Sequence, residues 1–318
     1  MLRTGRVKES VYRRSVLRPL QQGRQGKGPD SDLLPVKLKM TSIQGWILAA
    51  RRAVYGMENT LLAAGVLPER MMVDVLMPAG TEESSLKALF RELDCVCRQE
   101  KLLLLPGTAA VTSAVNTLIL SVAGYGLPAD LPAADSRPEA AGRDLVMVGH
   151  AGREGAAMLA IGKEEQLVSR YPASFIHTAG DFYADAGMAE TADILRNHGA
   201  LKIHAVGEGG VFGSLWELAA SLGTGLEVEI RKIPIRQHTV EICEFFDLNP
   251  YMLLSGGCML AVCRDGEEAV HALWEHGMEA GIIGKTIEGN DRLIHYDTEK
   301  RYLEPPKTDE IYKIYEIL

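Results

Sequence analysis

The 318-residue chain is 47% hydrophobic and 24% charged, with neither glycine nor proline in excess, which excludes a disordered or fibrous protein. A net charge of −8 excludes a surface built as a whole for a nucleic-acid backbone. At this length two domains are expected, since a single core rarely grows past roughly 250–300 residues.

Residues 1–27 carry Arg3, Arg6, Lys8, Arg13, Arg14, Arg18, Arg24 and Lys27 against Glu9. Such an arm suits RNA, a membrane surface or an importer. Its apolar Val7, Val11, Tyr12, Val16 and Leu17 equally suit a solvated amphipathic segment docked on the domain behind it, the reading preferred here. A loop is expected from Gln21 to Pro35. The spacing predicts a helix from Gln44 to Ala64 stopped by Gly65, then a strand from Met71 to Met77 closed by Pro78. Thr81 is placed to cap the next helix, with Glu82 and Glu83 at its positive end and Leu86, Leu89, Phe90, Leu93, Val96 and Cys97 at helical spacing. Lys101 to Leu105 is a short apolar run, and residues 111–123 read as β-rich up to Gly124. PADLPAADSRPEAAGR, residues 128–143, reads as a linker. The expected division is therefore a basic arm and loop over 1–35, an N-terminal domain over 36–127, and a C-terminal domain over 144–318.

The second half alternates strands and helices. Strands are expected at 145–148, 201–206 and 226–235, with paired strands from Tyr251 to Cys263 around Ser255-Gly256-Gly257 and final strands flanking Glu288-Gly289-Asn290. Helices are expected after the turn that follows Val148, then over 184–198 up to Gly199, after GEGG through Val211, Leu215, Leu218, Ala219 and Leu222, over 239–246 and over 267–280. This order argues for an α/β or α+β fold with helices on the sheet faces. No apolar run approaches the ~20 residues of a membrane span, and no signal-peptide core is visible, so a cytoplasmic protein is expected. Cys95, Cys97, Cys243, Cys258 and Cys263 read as buried free thiols. Cys95 and Cys97 diverge around a helix and make a poor metal clip. His150, His177 and His204 with Asp181 fit no clip either and read as structural. Ser255-Gly256-Gly257-Cys258 reads as a glycine hairpin with a packed cysteine, and Trp46, Trp216 and Trp274 read as core residues.

The sharpest chemical signal is His204-Ala205-Val206-Gly207-Glu208-Gly209-Gly210-Val211-Phe212-Gly213, a glycine cluster between a strand and a helix. Exposed N–H groups at a helix start attract an anion such as phosphate. The pattern is neither a P-loop nor G-x-G-x-x-G, and a plain strand-to-helix turn is the simpler reading.

GEGGVFGSLWELA, the following GTGLEVEIRKIPIRQHTVEICEFFDLNPYMLLSGGCMLAV, DLVMVGHAGREGAAMLA and GIIGKTIEG, over nearly all of residues 144–290, resemble the C-terminal domain of the aminoimidazole-ribotide synthetase superfamily, in its hydrogenase-maturation dehydratase branch. GWILAARRAVYGMENTLLAAGVLP, VDVLMPAGTEESSLKALF and PGTAAVTSAV resemble its N-terminal domain more faintly. The resemblance implies an α/β (α+β) fold with a dimerising N-terminal α/β domain and a C-terminal α/β sandwich. It also implies ATP and Mg²⁺ as cofactors and a reaction that activates an amide or carbonyl oxygen by phosphorylation.

Carboxylates of that family bridge magnesium to phosphate, and here they are largely replaced. Thr41-Ser42 stands for a Thr-Asp pair, Asn59-Thr60 for Asn-Asp, Pro106-Gly107-Thr108-Ala109-Ala110 for Gly-Gly-His-Thr-Glu, and Ala205 for the acid after the histidine. What the resemblance leaves as nucleotide contacts is Asn59, Gly107, Thr108, Glu208, Gly209 and Gly210, with Asp30 or Asp32 in an upstream glycine-acid loop. No metal ligand set and no catalytic residue are assigned. The modified C-terminal cysteine of the dehydratases has no counterpart in IYKIYEIL, and no cysteine precedes Cys95, as the selenophosphate branch would need. Two readings stay open: a homodimeric pseudoenzyme or scaffold with a protein partner in a maturation pathway, and an active ATP-dependent enzyme. A nucleic-acid binder using the basic arm is a third reading with no support from the rest of the chain.

Overall fold

The computed structural model describes Arg14 and residues 37–129, 141–297, 299–305 and 307–315. In the N-terminal half four strands form one sheet in the order β1 (Lys37–Gln44), β4 (Ile119–Pro128), β2 (Val66–Pro78) and β3 (Leu103–Thr112). β4 is antiparallel to both β1 and β2, while β2 and β3 are parallel. Period-two alternation buries Met71, Val73, Val75 and Met77 on one face. That face meets α1 (Ala49–Ala63) and α2 (Glu83–Gln99) through Val54, Met57, Leu61, Leu89, Leu93 and Val96. Elsewhere on this sheet apolar side chains reach solvent: Met40, Leu67, Leu76, Leu103 and Leu127 are 39–67% exposed.

Seven strands make the second sheet, in the order β11 (Glu299–Tyr302), β10 (Arg292–Tyr296), β7 (Gly225–Glu229), β9 (Ala280–Ile287), β5 (Asp144–Val148), β8 (Met259–Cys263) and β6 (Ala200–Ala205). Only the β7–β10 pair is parallel. Leu145, Met147, Leu226, Val228 and Leu260 pack against α7 (Gly210–Leu222). Their alternate neighbours Val146, Val148, Met259 and Ala261 pack against α6 (Ala189–Asn197) and α9 (Gly266–Glu275). A further cluster joins α3 (Arg153–Gly162), α4 (Glu164–Leu167), α5 (Ala173–Asp181) and α8 (Gln237–Phe245) to Ile311, just before α10 (Tyr312–Tyr315). The two halves share packing: Ala157, Tyr183 and Ala186 join the first core, and Leu62 of α1 joins the β8 side of the large sheet.

Several local expectations are corrected. Residues 37–44 are a strand, so the first helix starts at Ala49, after a turn in which Gly45 and Leu48 take positive φ. Thr81 does not cap α2: its hydroxyl donates to the Pro78 carbonyl and closes the turn after β2. The 226–235 strand ends at Glu229 and becomes a 3₁₀ turn, Ile230–Lys232. Of 251–263 only β8 is a strand: before it Gly256 donates its N–H to the Glu154 carboxylate rather than to a partner strand. Trp274 is 60% and Trp46 38% exposed, so these two are not core residues, whereas Trp216 packs against the core of the large sheet with the Arg292 guanidinium over its ring at 4.0 Å. Cys95 is exposed, while the other four cysteines are buried, and all five are free thiols. No described helix is long and apolar enough to cross a membrane. The basic arm, except Arg14, and the Asp30-to-Asp32 loop lie outside the described residues.

Candidate functional site

Three glycine-bearing loops meet at one end of the β5–β8–β6 strip. Gly149–Gly152 follows β5, Gly207–Gly210 follows β6, and Ser255–Gly257 precedes β8. Backbone bonds knit them: Ser255 N–H donates to Gly207 O, Val206 N–H to Cys258 O, and Gly155 N–H to Leu254 O. The fully buried Ser255 hydroxyl donates to Leu253 O and accepts from Gly152 N–H, both at 2.7 Å. Gly210 has to be glycine twice over. Its φ is +63°, and a Cβ there would lie 2.6 Å from Tyr251 O and 2.7 Å from Leu253 O.

The glycine loop ends in Gly209 and Gly210, both left-handed, and opens α7. Its Gly209 N–H points at a carboxylate of the chain itself, Asp309, at 2.6 Å. The same carboxylate accepts from Leu254 N–H at 3.3 Å and from Ile311 N–H at 2.9 Å. Burial pushes the Asp309 carboxyl up to about 7, against the opposing pull of the amide bonds and with Glu208 adding to the rise. Tyr312 next to it is pushed up to about 12 by burial and then by Glu208 and Asp309, and it also feels Arg52 and Glu154. The tail thus lies within electrostatic reach of both the glycine loop and the junction between the two halves.

That junction is an ion pair. Arg52 of α1 donates through Nε to Glu154 of α3 at 2.7 Å, with both side chains at least nine-tenths buried. Arg52 also donates to Gln44 O, and the second Glu154 oxygen accepts from Gly256 N–H at 3.1 Å. Glu154 thus ties the Ser255–Gly257 loop to the ion pair through Gly256. Nearby, residues 182–188 form a belt between the halves. Arg51, Tyr55 and Asn59 of α1 and Arg153 of α3 all bond its backbone.

The six residues expected as nucleotide contacts fall in three places by their contacts. Glu208, Gly209 and Gly210 sit together at the start of α7, Glu208 exposed. Asn59 is 4% exposed, and its amide is engaged on both sides: Nδ2 donates to Ala186 O at 3.0 Å and Oδ1 accepts from Met188 N–H at 3.1 Å. Gly107 and Thr108 lie in β3, where Gly107 passes so close to β2 that a Cβ would lie 2.8 Å from an Asp74 carboxylate oxygen. Thr108 donates its N–H and its hydroxyl to Asp74, at 2.7 and 2.9 Å, and these bonds hold the Asp74 carboxyl below its ordinary range.

Sequence reasoning missed Arg52, Glu154, Asp74 and Asp309. For the last of these the one local hint was an acidic pair, Asp309-Glu310, ahead of an apolar tail. His150, His177 and His204 face Glu279, Glu164 and Glu217 respectively and do not converge. Among the described residues no three His, Cys, Asp or Glu side chains converge to hold a metal ion. A magnesium ion held by protein carboxylates alone would need such a cluster of oxygen donors, and the described residues supply none. Two hollows of about 420 and 450 Å³ lie elsewhere, one lined by Asp144, Glu227, Lys285 and His295, the other by Pro234 and Trp274.

The family described as AIR synthase related protein, C-terminal domain, matches residues 140–296. A Methanocaldococcus jannaschii protein, provisionally named a hydrogenase expression/formation protein, is 24% identical over 273 residues, 83% of this chain and 78% of that one. The solved structure of hydrogenase maturation protein HypE in complex with ATP superposes with a TM-score of 0.74 at 18% identity, covering 98% of each chain. HypE in the HypE–HypF complex gives 0.71 at 17%, covering 92% of this chain and 100% of that one.

Proposed function

Because this chain is a member of the AIR synthase-related superfamily, in its HypE-like branch, we propose that it is a homodimeric pseudoenzyme that serves as a scaffold in a maturation pathway. The observation that carries this reading is the state of Asn59, which stands where the resemblance puts a nucleotide contact. Both ends of its amide bind the 186–188 backbone and tie α1 to the C-terminal half. The same reading is supported by the lack, among the described residues, of any cluster of three His, Cys, Asp or Glu side chains fit to hold a metal, and by the fact that a hydroxyl does not replace the charge of a lost carboxylate. Solved relatives include a HypE bound to ATP and a HypE assembled with HypF. A residual nucleotide cleft and a protein partner are therefore part of the proposal. A cytoplasmic setting goes with it, since all five cysteines are free thiols. The same reading divides the chain at 128–143.

Titrating ATP into the purified chain with and without Mg²⁺ tests the reading. We expect no magnesium-dependent heat and no phosphate release. Magnesium-dependent ATP hydrolysis that Asn59→Ala abolishes would overturn it in favour of an ATP-dependent enzyme activating an amide or carbonyl oxygen.

The homodimer rests on the small sheet. Large exposed apolar patches of this kind mark interfaces, and Met40, Leu67, Leu76, Leu103 and Leu127 bring one from all four strands. Leu76→Glu combined with Leu103→Glu is expected to turn a dimer into a folded monomer in light scattering. A wild-type chain that is monomeric at tens of micromolar, about where even modest interfaces assemble, contradicts the dimer.

A further inference from the structure

Asp309 is 2% exposed, yet its carboxylate makes no ion pair with any described basic group; three backbone N–H groups hold it. Burying a carboxyl without a cation is costly, and the rise of its pKa to about 7 reflects that cost. A tail needing only an anchor has cheaper ones in the same stretch. Ile311 is 2% exposed in an apolar cluster, the Tyr315 hydroxyl donates to Met158 O, and Lys163 lies over the Tyr315 ring at 5.2 Å. Glu310, the neighbouring acid, accepts from Asn249 N–H and pairs with Lys313. Among the described tail residues it is Asp309 that hydrogen-bonds the glycine loop, and it meets Gly209 and Leu254 N–H groups as an oxyanion would.

We propose that Asp309 is a built-in ligand of the glycine loop: its carboxylate occupies the position an external phosphate or carboxylate oxyanion would take, and the loop accepts such an anion only when residues 309–315 lift away. This rests on reading Gly207–Gly210 as the anion end of the site. A tethered group competes at an effective concentration of order millimolar. The tail therefore suppresses the apparent affinity for a free oxyanion without any change in the loop itself.

Inorganic phosphate titrated into the full chain, compared with Asp309→Asn, is the test. Asparagine keeps the size and one acceptor but removes the charge. We expect phosphate to bind Asp309→Asn at least about tenfold more tightly than wild type, a difference of roughly 1.4 kcal/mol. We also expect saturating phosphate to speed hydrogen exchange of the 311–315 amides in wild type. Equal affinity in the two proteins, or no phosphate binding by either, overturns the proposal. If Asp309→Asn does not fold, Ile311→Ala loosens the segment from outside the loop and is titrated instead, with the same two outcomes. ATP hydrolysis by the wild-type chain would sink the pseudoenzyme reading alone and leave the phosphate comparison to decide this one.

Discussion

Replacing Arg52 by alanine is expected to destabilise the chain by about 3–5 kcal/mol, the range for removing one partner of a buried ion pair, read as a large fall in the urea midpoint. The substitution leaves Glu154 charged, 6% exposed and without its guanidinium. Glu154 also holds Gly256 N–H, so the Ser255–Gly257 loop and the glycine loop bonded to it loosen together. The double change Arg52→Leu with Glu154→Gln removes both charges while keeping an acceptor for Gly256. It should recover most of the loss, because it leaves no buried charge uncompensated. A single variant less than about 1 kcal/mol below wild type would mean that the pair behaves as an exposed one, and that something else joins the two halves.

That pair also marks the limit of what the sequence makes legible. Helices with an unbroken apolar stripe are readable: Val211, Leu215, Leu218 and Ala219 recur on one face of α7 and do pack on the large sheet. The glycine loop is readable because glycines in positive φ leave a compositional trace, as at Gly209 and Gly210. Ser255-Gly256-Gly257 leaves a similar trace and is misread as a hairpin, since its geometry is set by Glu154, 102 positions away from Gly256. β1 is missed because its residues, Lys37 to Gln44, mix polar and apolar types next to a strongly helical stretch. Asp309 reaching Gly209 across 100 positions leaves no local trace beyond the acidic pair Asp309-Glu310 ahead of an apolar tail. Local pattern thus reports elements and turns, while the bonds that join the halves and fill the loop arise only when the chain closes on itself. Family resemblance bridges part of that gap, placing the loop and the two-sheet plan, but it points to Asn59 as a ligand contact and is silent on the strut that Asn59 forms.

Stability should fall as pH rises from about 4.5 to about 8, and Glu58→Gln should remove much of that fall. Glu58 lies on α1 at 2% exposure, and its Oε2 has no hydrogen-bond partner. Burial raises its carboxyl to about 8, and Glu100 adds to the rise. The folded state therefore binds this proton more readily than the unfolded state. Its contribution is complete below the unfolded value near 4.5 and is lost as pH climbs through about 8. Asp309, raised to about 7, acts in the same direction over the lower part of this window, so Glu58→Gln flattens the profile without levelling it. A tenfold difference in proton affinity between the folded and unfolded chain is worth about 1.4 kcal/mol. Allowing for relaxation of the fold around the buried carboxyl, the variant should exceed wild type by about 2–4 kcal/mol at pH 9. At pH 5, where Glu58 is neutral in the folded chain, the two should nearly coincide. Urea unfolding at half-unit pH steps measures both curves. Parallel curves would mean that Glu58 stays ionised inside the fold, which requires a cation or water reaching the space between α1 and α2.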